Sequence, residues 1–128
     1  MEVTSEQLQH PIEGALVTED SRGWRASEKG PQTVRLVFDH PQNIARIALA
    51  FEEKERERTQ EFVLRWITKM GKSHEIVRQQ WNFSPPSTIR EVENYAVQLA
   101  GVSALELIIN PDISGGEAMA SLLQLRLA

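Results

Sequence analysis

Residues 32–51, QTVRLVFDHPQNIARIALAF, constrain this chain more than any other stretch. In the first half Val34, Leu36 and Phe38 alternate with Thr33, Arg35 and Val37. In the second, Ile47, Leu49 and Phe51 alternate with Arg46, Ala48 and Ala50. A period of two with one apolar side belongs to strands that bury one face. Between the halves, Asp39, His40, Pro41, Gln42 and Asn43 supply turn chemistry, and a proline there cannot donate to a ladder. The pattern predicts two strands joined by a tight turn, the first piece of an all-β core.

The rest of the chain extends that reading. Residues 1–10 are polar and read as a loose arm, and residues 11–17 as a short first strand. Residues 19–31 are loop-rich, with Gly23, Gly30 and Pro31 as breakers. Residues 52–59, EEKERERT, have helix-forming residue types, and Phe62, Val63, Trp66, Ile67 and Met70 could continue a helical face. The β-branched and aromatic content of residues 62–68 favours a strand instead. Further strands are expected at residues 74–81, 88–99, 105–109 and 118–127. Turns are expected at residues 70–73 and 110–116, at Gly101 and at Pro85-Pro86. About eight short strands with closely spaced turns point to an antiparallel sandwich or barrel. The expected core is Val34, Leu36, Phe38, Ile47, Leu49, Phe51, Leu64, Leu105, Leu107, Ile109, Leu123 and Leu125, with Trp66 beside it.

If consecutive strands run antiparallel, every second connection lies at the same end. Residues 28–31, 52–59, 82–87 and 110–116 then share one end, and residues 39–43, 70–73 and 100–103 the other. The first end has the longer loops, and binding residues favour such loops.

A chain of 128 residues suits one domain spanning 1–128. Its net charge of −4 and lack of a basic stripe argue against a nucleic-acid binder. No apolar run approaches the ~20 residues that span a bilayer, so no membrane insertion is expected. The N-terminus lacks the basic and apolar regions of a secretory signal, and the chain has no cysteine. Both features lean towards the cytoplasm.

Several segments carry a family likeness. GWRASEKGPQTVRLVF resembles the Trp-x-Ala segment and following strand of discoidin, or coagulation factor V/VIII type C, domains. NIARIALAFEE is similar to their next strand. ALELIINPD with ASLLQLRLA looks like their closing pair. The resemblance implies a galactose-binding-domain-like jelly roll that binds rather than catalyses. Family members hold carbohydrates, phospholipid head groups or proteins through loops at one end. The disulfide of many extracellular members is missing here, and charged EEKERERT stands where membrane-binding members carry apolar spikes.

The chemistry-bearing residues narrow the options. Trp24 and Arg25 could contact a sugar, but the family pattern makes that tryptophan a packing residue. Trp81, Asn82 and Phe83 precede Ser84 at the loop-rich end, and an aromatic beside an amide suits a sugar ring. The alternative has both aromatics capping the sandwich. Arg56, Arg58 and Lys29 are the candidate polar partners. Residues 70–73, MGKS, lack the first glycine of a phosphate loop and the helix that follows it. His10, His40 and His74 have no metal-binding spacing. Glu19 and Asp20 offer a few oxygens to the structural calcium some family members hold, but a solvated acidic turn fits better. No catalytic constellation appears, so no cofactor is expected. The expectation is a non-catalytic module for a carbohydrate, with protein interaction or a homo-oligomeric scaffold as the alternative.

Overall fold

In the computed structural model, which describes residues 2–17 and 22–128, the alternating stretch forms one strand rather than two. The elements are β1 (Glu2–Val3), α1 (Glu13–Leu16), β2 (Trp24–Lys29), β3 (Gln32–Glu52), β4 (Arg58–Thr68), β5 (Ser73–Phe83), β6 (Arg90–Asn110), β7 (Met119–Leu122) and β8 (Gln124–Leu127). β3 pairs along its whole length with β6, from Gln32 opposite Ile109 to Glu52 opposite Arg90. The expected hairpin partners, residues 32–38 and 44–51, are therefore not hydrogen-bonded to each other. The ladder shifts register between Val37 and Ile44, and again by Arg46. Such bulges bend both strands together and absorb Pro41, which has no N–H to offer. Gly101, at φ +68°, makes the matching bend in β6, and its N–H donates to Asn43 Oδ1 at 3.2 Å. Residues 88–99 and 105–109, expected as two strands, are thus one bent strand for the same reason.

The folded ribbon contributes to both layers of a sandwich. One layer follows the order β1-β3-β6-β4-β5, and in the other β8 flanks the second half of β3. β2 and β7 pair alongside, and the Leu123 N–H reaches the Ala50 carbonyl at 2.8 Å. All ladders are antiparallel. The layers meet through Phe51 of β3 and Phe62 of β4, stacked with centroids 5.3 Å apart. This is an antiparallel jelly-roll sandwich, and residues 58–68 take the strand rather than the helix.

Val34, Ile47, Leu49, Phe51, Leu64, Leu105, Leu107, Ile109 and Leu125 are buried as expected, while Leu36, Phe38 and Trp66 pack against them half-buried. Leu123 is a correction. The closing segment breaks into two strands at that residue, which reverses the alternation and puts Leu122 into the core instead. Residues 11–17 are a second correction, because they hold the short helix α1. Its Gly14 lies so close to Gly23 that a Cβ would stand 2.7 Å from the Gly23 carbonyl oxygen.

The N-terminal segment also differs from a loose arm. Glu2 and Val3 pair with Arg35 and Val34. The Thr4 and Ser5 hydroxyls donate to buried Gln32 Oε1 at 2.6 and 2.7 Å, and the Ser5 carbonyl takes the Trp24 indole N–H at 3.0 Å. A polar segment is held here because buried polar groups need partners.

Candidate functional site

The charged run after β3 folds around a single carboxylate. Glu53 Oε2 accepts the backbone N–H groups of Glu55 and Arg56 at 3.1 and 3.3 Å, and Oε1 accepts Arg58 Nε at 2.7 Å. Burial works to raise this carboxyl, but the Arg58 bond and the two amides prevail and hold it below the usual range. Arg58 also donates to Gln60 Oε1 at 3.2 Å and to the Pro111 carbonyl at 2.8 Å, and lies 4.8 Å from the centre of the Phe83 ring. This pins the connection between β3 and β4 and leaves Lys54, Glu55, Arg56 and Glu57 exposed.

Those exposed residues form one wall of a cleft of about 560 Å³. Glu52, Glu53, Lys54, Glu55 and Arg56 face Gln7, Arg25 of β2, and Glu117, Ala118, Met119 and Ser121 around β7. Arg25 points outward because β2 alternates, with Trp24 and Ala26 buried on either side of it. Most of the lining carboxylates are already neutralised. Glu52 meets Arg90 at 2.8 Å and Lys54 at 3.4 Å. The Arg90 hydrogen bond outweighs burial and, with Lys54, lowers the Glu52 pKa. Glu53 holds Arg58, and Glu117 holds Lys29 at 3.1 Å. Among the described residues, Arg25, Arg56 and Glu55 have no side-chain ion-pair or hydrogen-bond partner.

The loops expected to share an end do gather there. Residues 57–59, 82–84, Asp112 and Ser114 line a second hollow of about 370 Å³. Gly30 and Pro31 line a third with residues around Asn110 and Gly116.

The predicted site residues divide between these places. Arg56 lines the main cleft, and Lys29 stands at its rim through Glu117. Asn82 accepts the Thr59 hydroxyl and lines the second hollow. Phe83 and Arg58 are buried, at 0% and 4% exposure. Trp81 pairs opposite Gln60 on the inner side of β5 and packs half-buried against the core. The structure thus brings Arg58, Asn82 and Phe83 together at the second hollow, while Arg56 and Lys29 belong to the main cleft and Trp81 lines neither. Arg25, Gln7, Met119 and Ser121 join the cleft without having stood out as a group in the sequence. Of these, the sequence marks only Arg25, as a possible sugar contact beside Trp24, and it does so within a stretch read as loop, where the structure has β2. The calcium candidates Glu19 and Asp20 lie outside the described residues. Among the described residues, no group of three or more His, Asp or Glu side chains is placed to hold a metal.

A second polar set runs inside the sandwich. Glu91 is fully buried, and its Oε1 accepts Gln60 Nε2 at 3.3 Å. Burial raises the Glu91 pKa, and the neighbouring Glu93 carboxyl raises it further. Burial likewise pushes the Tyr95 hydroxyl up to about 12, with help from Glu93 and Glu91.

With this geometry in view, the chain can be set beside known proteins. No family model matches it, and no curated protein does. Solved structures do. The family 32 carbohydrate-binding module of Clostridium perfringens NanJ, in complex with galactose, has a TM-score of 0.73 at 15% identity, over 98% of this chain and 90% of that one. The family 32 module of AlyQ, in complex with 4,5-unsaturated mannuronic acid, gives 0.70 at 11% over 99% and 92%. A chain from the complex of reduced XRCC1 with the DNA polymerase β catalytic domain gives 0.69 at 14% over 100% and 93%. The fold is that of the galactose-binding-domain-like sandwiches.

Proposed function

We propose that this protein is a non-catalytic carbohydrate-binding module and that the cleft between residues 52–56 and the β2–β7 ribbon is its site. The observation that carries the reading is the cleft itself, polar and about 560 Å³ in volume, on a fold shared with modules solved with saccharides. That volume lies within the range of small-ligand sites. Met119, 43% exposed, supplies the apolar patch a sugar ring needs, and Gln7, Ser121 and the charged side chains supply polar contacts. Sugar hydroxyls exchange water for protein partners at little net gain, so single-site affinity is expected in the micromolar to millimolar range.

The test is a glycan array followed by titration calorimetry, with Ser121→Trp filling the cleft. Binding that Ser121→Trp abolishes, in a protein with an unchanged melting temperature, is the expected result. Saccharide binding that survives the substitution places the site elsewhere. The runner-up is a protein-interaction module or self-assembling scaffold, which the fold's occurrence in a protein complex favours. It predicts no glycan signal and a concentration-dependent mass in solution.

A further inference from the structure

Resting on that reading, we infer that the cleft selects an anionic saccharide, whose carboxylate or sulfate is received by Arg25 and Arg56. The lining looks balanced in composition, but its charges are unequally committed. Glu52, Glu53 and Glu117 are each paired to a cation. Lys54 is held by Glu52. Arg25 and Arg56 have no side-chain partner among the described residues and line the cleft from two different elements, β2 and the Glu53-centred loop. Glu55 is, among the described residues, the one lining carboxylate without a cation. The uncommitted charge facing a ligand is thus net positive.

Guanidinium groups match carboxylate and sulfate oxygens in a planar, two-pronged geometry. A neutral sugar would leave both cations with water alone. Among the described residues the lining contains no aromatic ring, so stacking cannot dominate here as it does in many sugar sites. The backbone of Arg56 is fixed by its N–H bond to Glu53, so this side chain starts from an ordered position.

A glycan array carrying uronate, sialylated, sulfated and neutral glycans decides the matter. Hits confined to, or strongest among, the acidic glycans are the expected result. Hits among neutral glycans with no preference for acid overturn this inference and leave the carbohydrate reading standing. An array without any hit overturns both. For an acidic hit, calorimetry should show a loss of roughly tenfold or more for Arg25→Gln with Arg56→Gln, the scale of a lost charge-assisted contact. Affinity should also fall as salt rises, because exposed charges are screened. Both arginines are exposed, so the double variant should fold normally. Glu55→Gln should strengthen binding of the same glycan. Retained acid preference in the double variant, or weaker binding in Glu55→Gln, would show that other groups receive the anion.

Discussion

The two ends of this sandwich are built on different rules. At the far end, hydrogen bonds between neighbouring turns tie the corner together, and the charged Asp39, Lys69 and Lys72 stand exposed around it. Gly101 bonds Asn43, and the Ser103 hydroxyl reaches the carbonyls of Ile67 and Thr68 at 3.2 and 3.0 Å. The hollow there, about 290 Å³, is lined by Phe38, Ile44 and Leu127 beside Gln42, Asn43 and Ala128, with no charged side chain among the described residues. At the loop-rich end an ion pair between buried Arg58 and half-buried Glu53 organises the connections, and charged side chains are left over for solvent or ligand. The far end closes the ribbon, while the near end combines a rigid floor with uncommitted charge. A site needs that combination, because ordered groups lose less entropy when they bind.

The near end is most vulnerable at Arg58. Arg58→Ala removes the cation that holds Glu53, Gln60 and the Pro111 carbonyl and covers Phe83. Breaking a buried pair from one side costs about 3–5 kcal/mol. A chemical-unfolding titration should show a loss of that size, with loosening of residues 53–58 visible by hydrogen exchange. A loss under ~1 kcal/mol would mean that the near end does not depend on this pair.

Glu91 offers the next largest effect, and its sign follows from its raised pKa. The groups facing it are Glu93 on its own strand, Gln60 and Arg58 from β4, and Tyr95. The folded protein keeps a proton that the unfolded chain releases, so stability should fall as pH climbs above the ordinary carboxylate range. Glu91→Gln keeps the shape and removes the titration. Relative to the parent it should gain stability at alkaline pH, by about 1–3 kcal/mol, the scale of an ill-matched buried polar group. Parallel pH–stability curves for the two proteins would refute this assignment.

At the far end the effects are smaller. Gly101 adopts a positive φ, and no neighbour lies within 4 Å of the place a Cβ would take, so Gly101→Ala meets strain without a clash. A loss of about 1 kcal/mol is expected by thermal unfolding.

How much of this was legible in the sequence differs along the same division. The strand faces could be read because period-two alternation is local. The turn residues at 39–43 could be read too, but not what they join. A bulged corner and a hairpin use the same residue types, and only the long-range partner, β6, tells them apart. The assignment of loops to ends holds because a corner reverses the chain as a hairpin does. Arg58 reads as a surface candidate because EEKERERT is charged throughout, whereas Phe83 takes the capping alternative and is buried. The partner that buries Arg58, the Pro111 carbonyl, is 53 residues away and is concealed by that distance. Gln7, Met119 and Ser121 reach the cleft only through the pairing of β2 with β7 and the tethering of the N-terminal segment.

The smallest expected stability effect sharpens the contrast most. Lys29 and Glu117 form an ion pair at the rim of the cleft, with both side chains mostly exposed. Such pairs contribute about 0–1 kcal/mol, because solvent screens the attraction and two long side chains must be ordered. Lys29→Met should therefore leave the unfolding midpoint almost unchanged. It should nevertheless weaken an acidic glycan, since it releases the Glu117 carboxylate to face the ligand. Glu117→Gln should do the reverse, freeing Lys29 and removing a negative charge from the lining. Opposite shifts in affinity at constant stability would show that the charges of the near end are arranged for a ligand. If both variants instead lower the unfolding midpoint by several degrees with no change in binding, the rim pair is a structural clasp, and the near end follows the same rule as the far one.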